Sequence, residues 1–246
     1  MTIDDLYLEV VRLLEKRADI QIASKKMYYH KKSGYRSYGI RTPVLRELIK
    51  SHKSRFKRLS LEERFALAKM FYKSGFSEQA TYGNTILELS VGSMTPKHFD
   101  FLDEIISYFN SWATTDWFCI LILQPFLRKY SKETLDLLRK WNCSENIWKR
   151  RASVVAFVRK IGGSGKFTDE VLELCENLIW DKEDLVLKGV GWVLKDNMRG
   201  AKERVLDYVK TLRRKGVPSI ITLYAIRDLK DKEREGILKI KPLHRK

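Results

Sequence analysis

The chain has 246 residues, 44% of them hydrophobic, which is enough to bury a substantial core. Lys and Arg number 48 against 31 Asp and Glu, a net charge of +17 that points to a polyanionic partner such as nucleic acid. No apolar run approaches the roughly 20 residues that span a bilayer, and the start, MTIDDLYLEVV, carries acids where a secretory signal needs cations; a soluble, cytoplasmic protein without membrane contact is expected, nucleoid-associated if the source is a prokaryote.

Taken from the start, the chain first sets Tyr28, Tyr29, Tyr35 and Tyr38 among Lys25, Lys26, Lys31, Lys32 and Arg36. Such a basic and aromatic cluster can touch nucleic-acid backbone or flanking bases. Thr42-Pro43 and Thr95-Pro96 each place an N-cap hydroxyl before a proline at the first helical position, where its missing N–H costs nothing. Ser60 with Glu63 reads as a capping box ahead of Phe65, Leu67, Ala68 and Phe71. Further on, Gly162, Gly163 and Gly165 follow a run ending near Lys160, Thr168 with acids at 169 and 170 opens another helix, and Gly216-Val217-Pro218 ends one at Lys215. No segment alternates long enough to make a strand, so about a dozen helices are predicted. Low-complexity linkers are absent, which predicts a single domain over residues 1–228 with a basic tail over 229–246.

Three stretches recur: SWATTDWFC, NIWKRRASVV and LKGVGWVLKD, with a weaker earlier copy at SEQATYGNTILEL. Arg151 follows Trp112 by 39 residues and Trp192 follows Arg151 by 41. That period suits antiparallel helix pairs stacked into a curved, all-α solenoid of the HEAT-like kind, whose inner helices line one concave face. TTDWFCILIL, KRRASVVAFV and LKGVGWVLKD are the expected inner helices; HFDFLDEIISYF, KETLDLLRKW and DEVLELCENLIW are the expected outer ones.

Trp112 and Asp116 are four apart and share one helix face. Lys188 and Trp192 have the same spacing, and Arg151 lies three residues after Trp148. Taken singly, each has a plain packing explanation: core tryptophans, a helix-capping aspartate, an arginine in an ion pair. Their recurrence at one repeat phase favours a functional row. Trp117, Trp141, Trp148 and Trp180 are expected in the core or in helix packing. Cys119, Cys143 and Cys175 are odd in number and far apart, and His30, His52, His98 and His244 are isolated. Disulfides, a metal site and any cofactor are therefore not expected.

On these residues the chain resembles the AlkD-like DNA alkylation repair glycosylases, which are built from HEAT-like repeats. The resemblance rests on Trp112-Ala113-Thr114-Thr115-Asp116, Ile147-Trp148-Lys149-Arg150-Arg151-Ala152, Lys188-Gly189-Val190-Gly191-Trp192-Val193-Leu194 and the earlier Tyr38-Gly39-Ile40-Arg41-Thr42-Pro43-Val44-Leu45-Arg46. It spans about residues 25–228.

The resemblance implies that Trp112 and Trp192 flank the backbone of the damaged nucleotide, that Asp116 is the catalytic carboxylate and that Arg151 meets a neighbouring phosphate. It further implies excision of N3- or N7-alkylated purines from double-stranded DNA by a monomer, with the base still in the duplex, no deep base pocket and tolerance of bulky lesions. Ala113 departs from the family, whose members often carry a second acid there. Lys188, Lys149 and Arg150 are candidate phosphate-binding cations, with Arg41, Arg46, Lys195 and Arg199 as further ones. Tyr35 and Tyr38 are candidates to lie near the lesion. A noncatalytic repeat protein binding branched or damaged DNA is the alternative, and a basic protein-binding scaffold is a third reading. Asp116 argues against a pure binder, which gains nothing from a carboxylate facing phosphates.

Overall fold

A computed structural model describes residues 2–29 and 34–243, with the backbone alone at Tyr29. Lys31, Lys32, His30 and His244 lie outside the described residues. Within them the regular structure is helical, apart from an isolated parallel bridge between Arg36 and Phe76. The fold is all-α. The chain divides into two compact units, residues 1–130 and 131–246.

The first unit holds α1 (Ile3–Lys16), α2 (Ile20–Tyr29), α3 (Thr42–Arg58), α4 (Leu61–Lys73), α5 (Ser77–Ser90), α6 (Phe99–Ile105), α7 (Trp112–Phe118) and α8 (Gln124–Lys129). Helix α1 is started by a capping box in which Asp5 N–H donates to Thr2 Oγ1 at 3.1 Å and Thr2 N–H to Asp5 Oδ2 at 2.9 Å. Its Leu6, Val10 and Leu14, spaced by one turn, are buried. The expected box before α4 is present: Ser60 N–H donates to Glu63 Oε2 at 2.7 Å, and Glu63 N–H to Ser60 Oγ at 3.1 Å. Leu67, Ala68 and Phe71 are buried behind it, while Phe65 is half-buried and stacks on Phe101 at 4.2 Å. Thr95 caps a 3₁₀ turn starting at Pro96, as expected. Thr42 does not cap α3. Arg41 holds the cap position, with Thr42 and Pro43 as the first two helical residues, where a proline still removes only an N–H that had no helical partner.

Helices α4 and α5 pack closely because Gly83 faces the Tyr72 ring. A Cβ at Gly83 would sit 2.8 Å from Tyr72 Cζ. The run from α7 to α8 is continuous through a π-helical turn, Cys119–Leu123. There Gln124 N–H donates to Cys119 O, five residues back, just before Pro125, which has no N–H to give. Widening the turn lets the helix pass the proline without a break.

The second unit holds α9 (Ser131–Asn142), α10 (Ile147–Val155), α11 (Lys160–Gly163), α12 (Thr168–Glu176), α13 (Asp184–Asn197), α14 (Lys202–Lys215), α15 (Ser219–Ala225) and α16 (Asp231–Leu238). Helix α10 packs on α9, α12 and α13, and α13 packs on α14 and α15. The expected inner stretch KRRASVVAFV ends its helix at Val155, earlier than Lys160. The cause lies at Arg159, whose backbone turns to φ 58° and whose N–H donates to the buried Asp196 Oδ2 at 2.6 Å. A carboxylate from α13 thus sets the bend. Phe167, not Thr168, holds the cap position of α12. Gly216 ends α14 with φ 73°, as the sequence predicts. Helix α16 falls in the segment expected as the tail.

Helices α13 and α15 meet at Gly191, where a Cβ would lie 2.6 Å from Tyr224 Cβ and 2.8 Å from the Ile221 carbonyl oxygen. Only a residue without a side chain lets α13 approach α15 this closely. Val186, Val190, Val193 and Leu194 fill the surrounding core, each adding about 1.5–3 kcal/mol of burial.

Candidate active site

Ser111 caps α7: its Oγ accepts from Thr114 N–H at 3.1 Å, and its carbonyl accepts from Thr115 Oγ1 at 3.0 Å. Across the unit, Asn84 Nδ2 donates to the Thr114 carbonyl at 3.2 Å while Asn84 Oδ1 accepts from the Tyr72 hydroxyl at 2.7 Å. The first turn of α7 is therefore tied to α4 and α5 by a buried polar chain. That turn carries Trp112, 44% exposed, and Asp116 follows one turn on, 6% exposed. The indole is open to solvent and the carboxylate is nearly withdrawn from it. A carboxylate so nearly withdrawn from water acts through a less polar medium, which strengthens its field on any charge brought near.

In the second unit Asn146 caps α10, its Oδ1 accepting from Trp148 N–H at 2.8 Å and Lys149 N–H at 3.2 Å. Arg151 points to the start of α13, where its Nη1 donates to the Leu185 carbonyl. Gly189 lies against Arg151, since a Cβ there would be 3.5 Å from its Nη1, an ordinary packing contact. Arg151, only 5% exposed, therefore shares one packed face with α13, which bears the exposed Lys188 and the half-buried Trp192. The predicted residues thus form two groups, Trp112 with Asp116 in the first unit and Arg151 with Lys188 and Trp192 in the second.

A family model described as DNA alkylation repair enzyme matches residues 10–229. The chain belongs to that family. A solved structure, a predicted DNA alkylation repair enzyme from Enterococcus faecalis, is similar in fold, with a TM-score of 0.75 and 14% identity over 87% of this chain and 98% of the other. No curated protein matches.

Membership of the DNA alkylation repair enzyme family gives the chain a role in DNA alkylation repair and makes DNA the molecule it acts on. Several cations expected to meet that DNA are otherwise engaged. Arg150 grips Asp181 through Nε at 2.6 Å and Nη2 at 3.3 Å, and its Nη1 donates to the carbonyls of Ser144 and Glu145 at 2.8 and 2.9 Å. It clamps the loop before α10 and is not a phosphate ligand in this arrangement. Lys195, 8% exposed, pairs with Asp196 at 2.9 Å and Asp228 at 3.3 Å, and Arg199 also meets Asp228 at 3.3 Å. Lys149 is half-buried, whereas Lys188, Arg41 and Arg46 are exposed and make no ion pair among the described residues.

Tyr38 is buried, stacked on Phe76 at 4.1 Å, and its hydroxyl accepts from Gln79 Nε2 at 2.8 Å. It is core, so a place beside a lesion is not open to it. Tyr35 is half-buried, with its hydroxyl donating to Ser77 Oγ at 3.0 Å. Trp141 and Trp148 are buried as expected, but Trp117 and Trp180 are 46% and 61% exposed. Both lie off the packed stripe of their segments, a rotation that residue type alone does not disclose. Asn84 and Asp181 carried no signal in the sequence, because each acts on a backbone carbonyl or a side chain that only folding brings near, whereas Ser111 is a local N-cap serine of the same legible kind as Ser60.

Among the described residues no group of three or more His, Cys, Asp or Glu is arranged to hold a metal ion, and no helix is long and apolar enough to cross a membrane.

Proposed function

We propose that this protein is a monomeric, monofunctional DNA glycosylase that hydrolyses the N-glycosidic bond of N3- and N7-alkylated purines in duplex DNA, leaving an abasic site. The observation that carries the reading is the start of α7, where an open indole, Trp112, stands one turn before a shielded carboxylate, Asp116, on a turn anchored by Asn84.

Alkylation at N3 or N7 leaves the purine cationic, so the bond from C1′ to the base nitrogen breaks with its electron pair going to the base. Little acid assistance is required. Positive charge then builds on the deoxyribose, and the Asp116 carboxylate beside it stabilises the oxocarbenium-like transition state. Water adds its oxygen to C1′ and loses a proton, with the same carboxylate orienting it. The faces of Trp112 and Trp192 attract the cationic nucleotide by about 0.5–2 kcal/mol each, which favours alkylated over neutral purines. Selectivity follows charge, and, as the family resemblance implies, the damaged base stays in the duplex. Arg151 and Lys188 hold the backbone without reading sequence.

A second reading, a noncatalytic protein that binds branched or damaged DNA, is favoured by the near-complete burial of Asp116 and Arg151. The test is release of methylpurine from a methylated duplex, measured with the wild-type protein and Asp116→Asn, alongside affinity for the same duplex. Release by the wild type, slowed roughly 100-fold or more by the substitution while affinity changes little, is the expected result. Tight binding without release would leave the binder.

A further inference from the structure

Helix α7 has a second face that the proposed chemistry leaves unused. Ala113, Thr114 and Trp117, with Leu121 from the π-helical turn, border a cavity of 330 Å³ that neither Trp112 nor Asp116 lines. Its floor is apolar, formed by Ile40, Leu45, Ile49 and Leu121. Two aromatic residues wall it: Trp117, and Tyr35 held in place through its bond to Ser77. Thr42, Thr81 and Thr85 stand at the edge, the last two with their hydroxyl protons given to the Ser77 and Thr81 carbonyls at 2.9 and 3.0 Å so that they offer acceptor oxygens, and Lys26 and Glu78, paired at 3.3 Å, also line the cavity.

Ligand pockets run from about 300 to 1,000 Å³, so this one is sized for one or two rings and not for a chain. Apolar floor, aromatic walls and a hydroxyl edge suit a planar heteroaromatic ring, whose faces stack and whose edge hydrogen-bonds. Arg46 also lines the cavity, exposed and without an ion pair among the described residues. Its charge is placed to meet the phosphate that accompanies such a ring.

We propose that this cavity receives an undamaged nucleobase, swung out of the duplex next to the alkylated nucleotide that lies against Trp112 and Asp116. The inference rests on the reading above only in requiring DNA on α7; it does not depend on Asp116 being catalytic. Stacking on Trp117 and on Tyr35 replaces the stacking that the base loses in the duplex, without any need to recognise sequence. The expelled base opens the helix beside the lesion and gives the carboxylate access to a sugar that stays on its own strand.

The experiment uses duplexes carrying one abasic-site analogue and a single 5-iodouracil moved through the neighbouring positions of both strands. Each is irradiated with the full-length protein, and the cross-linked residue is identified by mass spectrometry. The expected result is one or two positions that cross-link to Trp117 or Tyr35, with yields at least five-fold above the rest. Thr85→Trp, which fills the cavity from its edge, should cut that yield at least five-fold with affinity for the duplex within three-fold of wild type; Thr81→Trp serves the same purpose should the first variant fail to fold. Cross-linking that is absent at every position despite saturated binding, or that survives both fillings, overturns the proposal. Methylpurine release measured in parallel separates the two readings, since cross-linking without release upholds the cavity and removes the glycosylase, and release without cross-linking does the reverse.

Discussion

Asn84 and Thr114 are joined by a single hydrogen bond, from side-chain amide to main-chain carbonyl at 3.2 Å, and through it α5 holds the turn of α7 that precedes Asp116. The amide has no slack, because its oxygen is taken by Tyr72 at 2.7 Å. Asn84→Ala should therefore leave a buried hydroxyl and a loosened turn, costing about 1–3 kcal/mol in urea unfolding. If the turn positions the carboxylate, kcat for methylpurine release falls several-fold with KM nearly unchanged; a loss of stability alone would reduce Asn84 to a packing residue.

Gly191→Ala should be among the most damaging small substitutions in the second unit. Its Cβ would meet main chain at Ile221 and the Cβ of Tyr224, neither of which can rotate away. A loss of about 1–3 kcal/mol or more is expected from forcing α13 off α15. Gly189→Ala offers a contrast, since its Cβ would meet Val155 Cγ2 at 3.3 Å and Val154 Cγ2 at 3.4 Å, side chains with some freedom to yield. Denaturant midpoints for the two variants should rank in that order.

Glu78 predicts a pH dependence. Burial pushes its carboxyl up, but the Ser37 hydroxyl at 2.7 Å, the Tyr38 N–H at 3.0 Å and Lys26 at 3.3 Å outweigh it and hold the group below the ordinary glutamate range. A group whose pKa is lowered by folding adds stability above its unfolded value, about 4.3, and loses it as pH falls through the folded one. Wild-type Tm should thus drop on acidification below about pH 4.3. Glu78→Gln, whose amide would face these donors, should lower Tm at pH 7 and flatten this part of the profile; a Tm difference independent of pH would contradict the assignment.

Lys188 and Arg150 should separate in a salt titration. Replacing the exposed Lys188 by Ala should lower the slope of log K against log salt by about 0.9 for one lost phosphate contact, with Tm unchanged. Arg150→Ala should leave the slope and lower Tm instead, because the clamp on Asp181 and two carbonyls is lost. The opposite pattern would return Arg150 to the interface.

How much was legible in advance follows the range of the forces concerned. The helical class, the box at Ser60 and Glu63 and the stop at Gly216 depend on neighbours within four or five residues, so the chain displays them directly. The spacing that puts Trp112 and Asp116 one turn apart is of the same kind. Exposure is not: Tyr38 and Trp117 are both aromatic residues, yet the first is closed in by Phe76 and Gln79 and the second stands 46% open.

Local chemistry written along the chain thus decided the all-α class, some of the helix starts and stops, the basic charge and the pairing of an indole with an acid on one turn. Tertiary packing alone decided which cations stay available, since Asp181 captures Arg150 from 31 residues away and Asp228 captures Lys195 from 33. It also decided where α10 stops, through the Asp196 carboxylate that holds the Arg159 N–H, and it created the cavity behind Trp117. The reason is physical: a helix records its own periodicity, but the partner that buries a side chain or takes its charge belongs to another helix whose approach only the folded core sets.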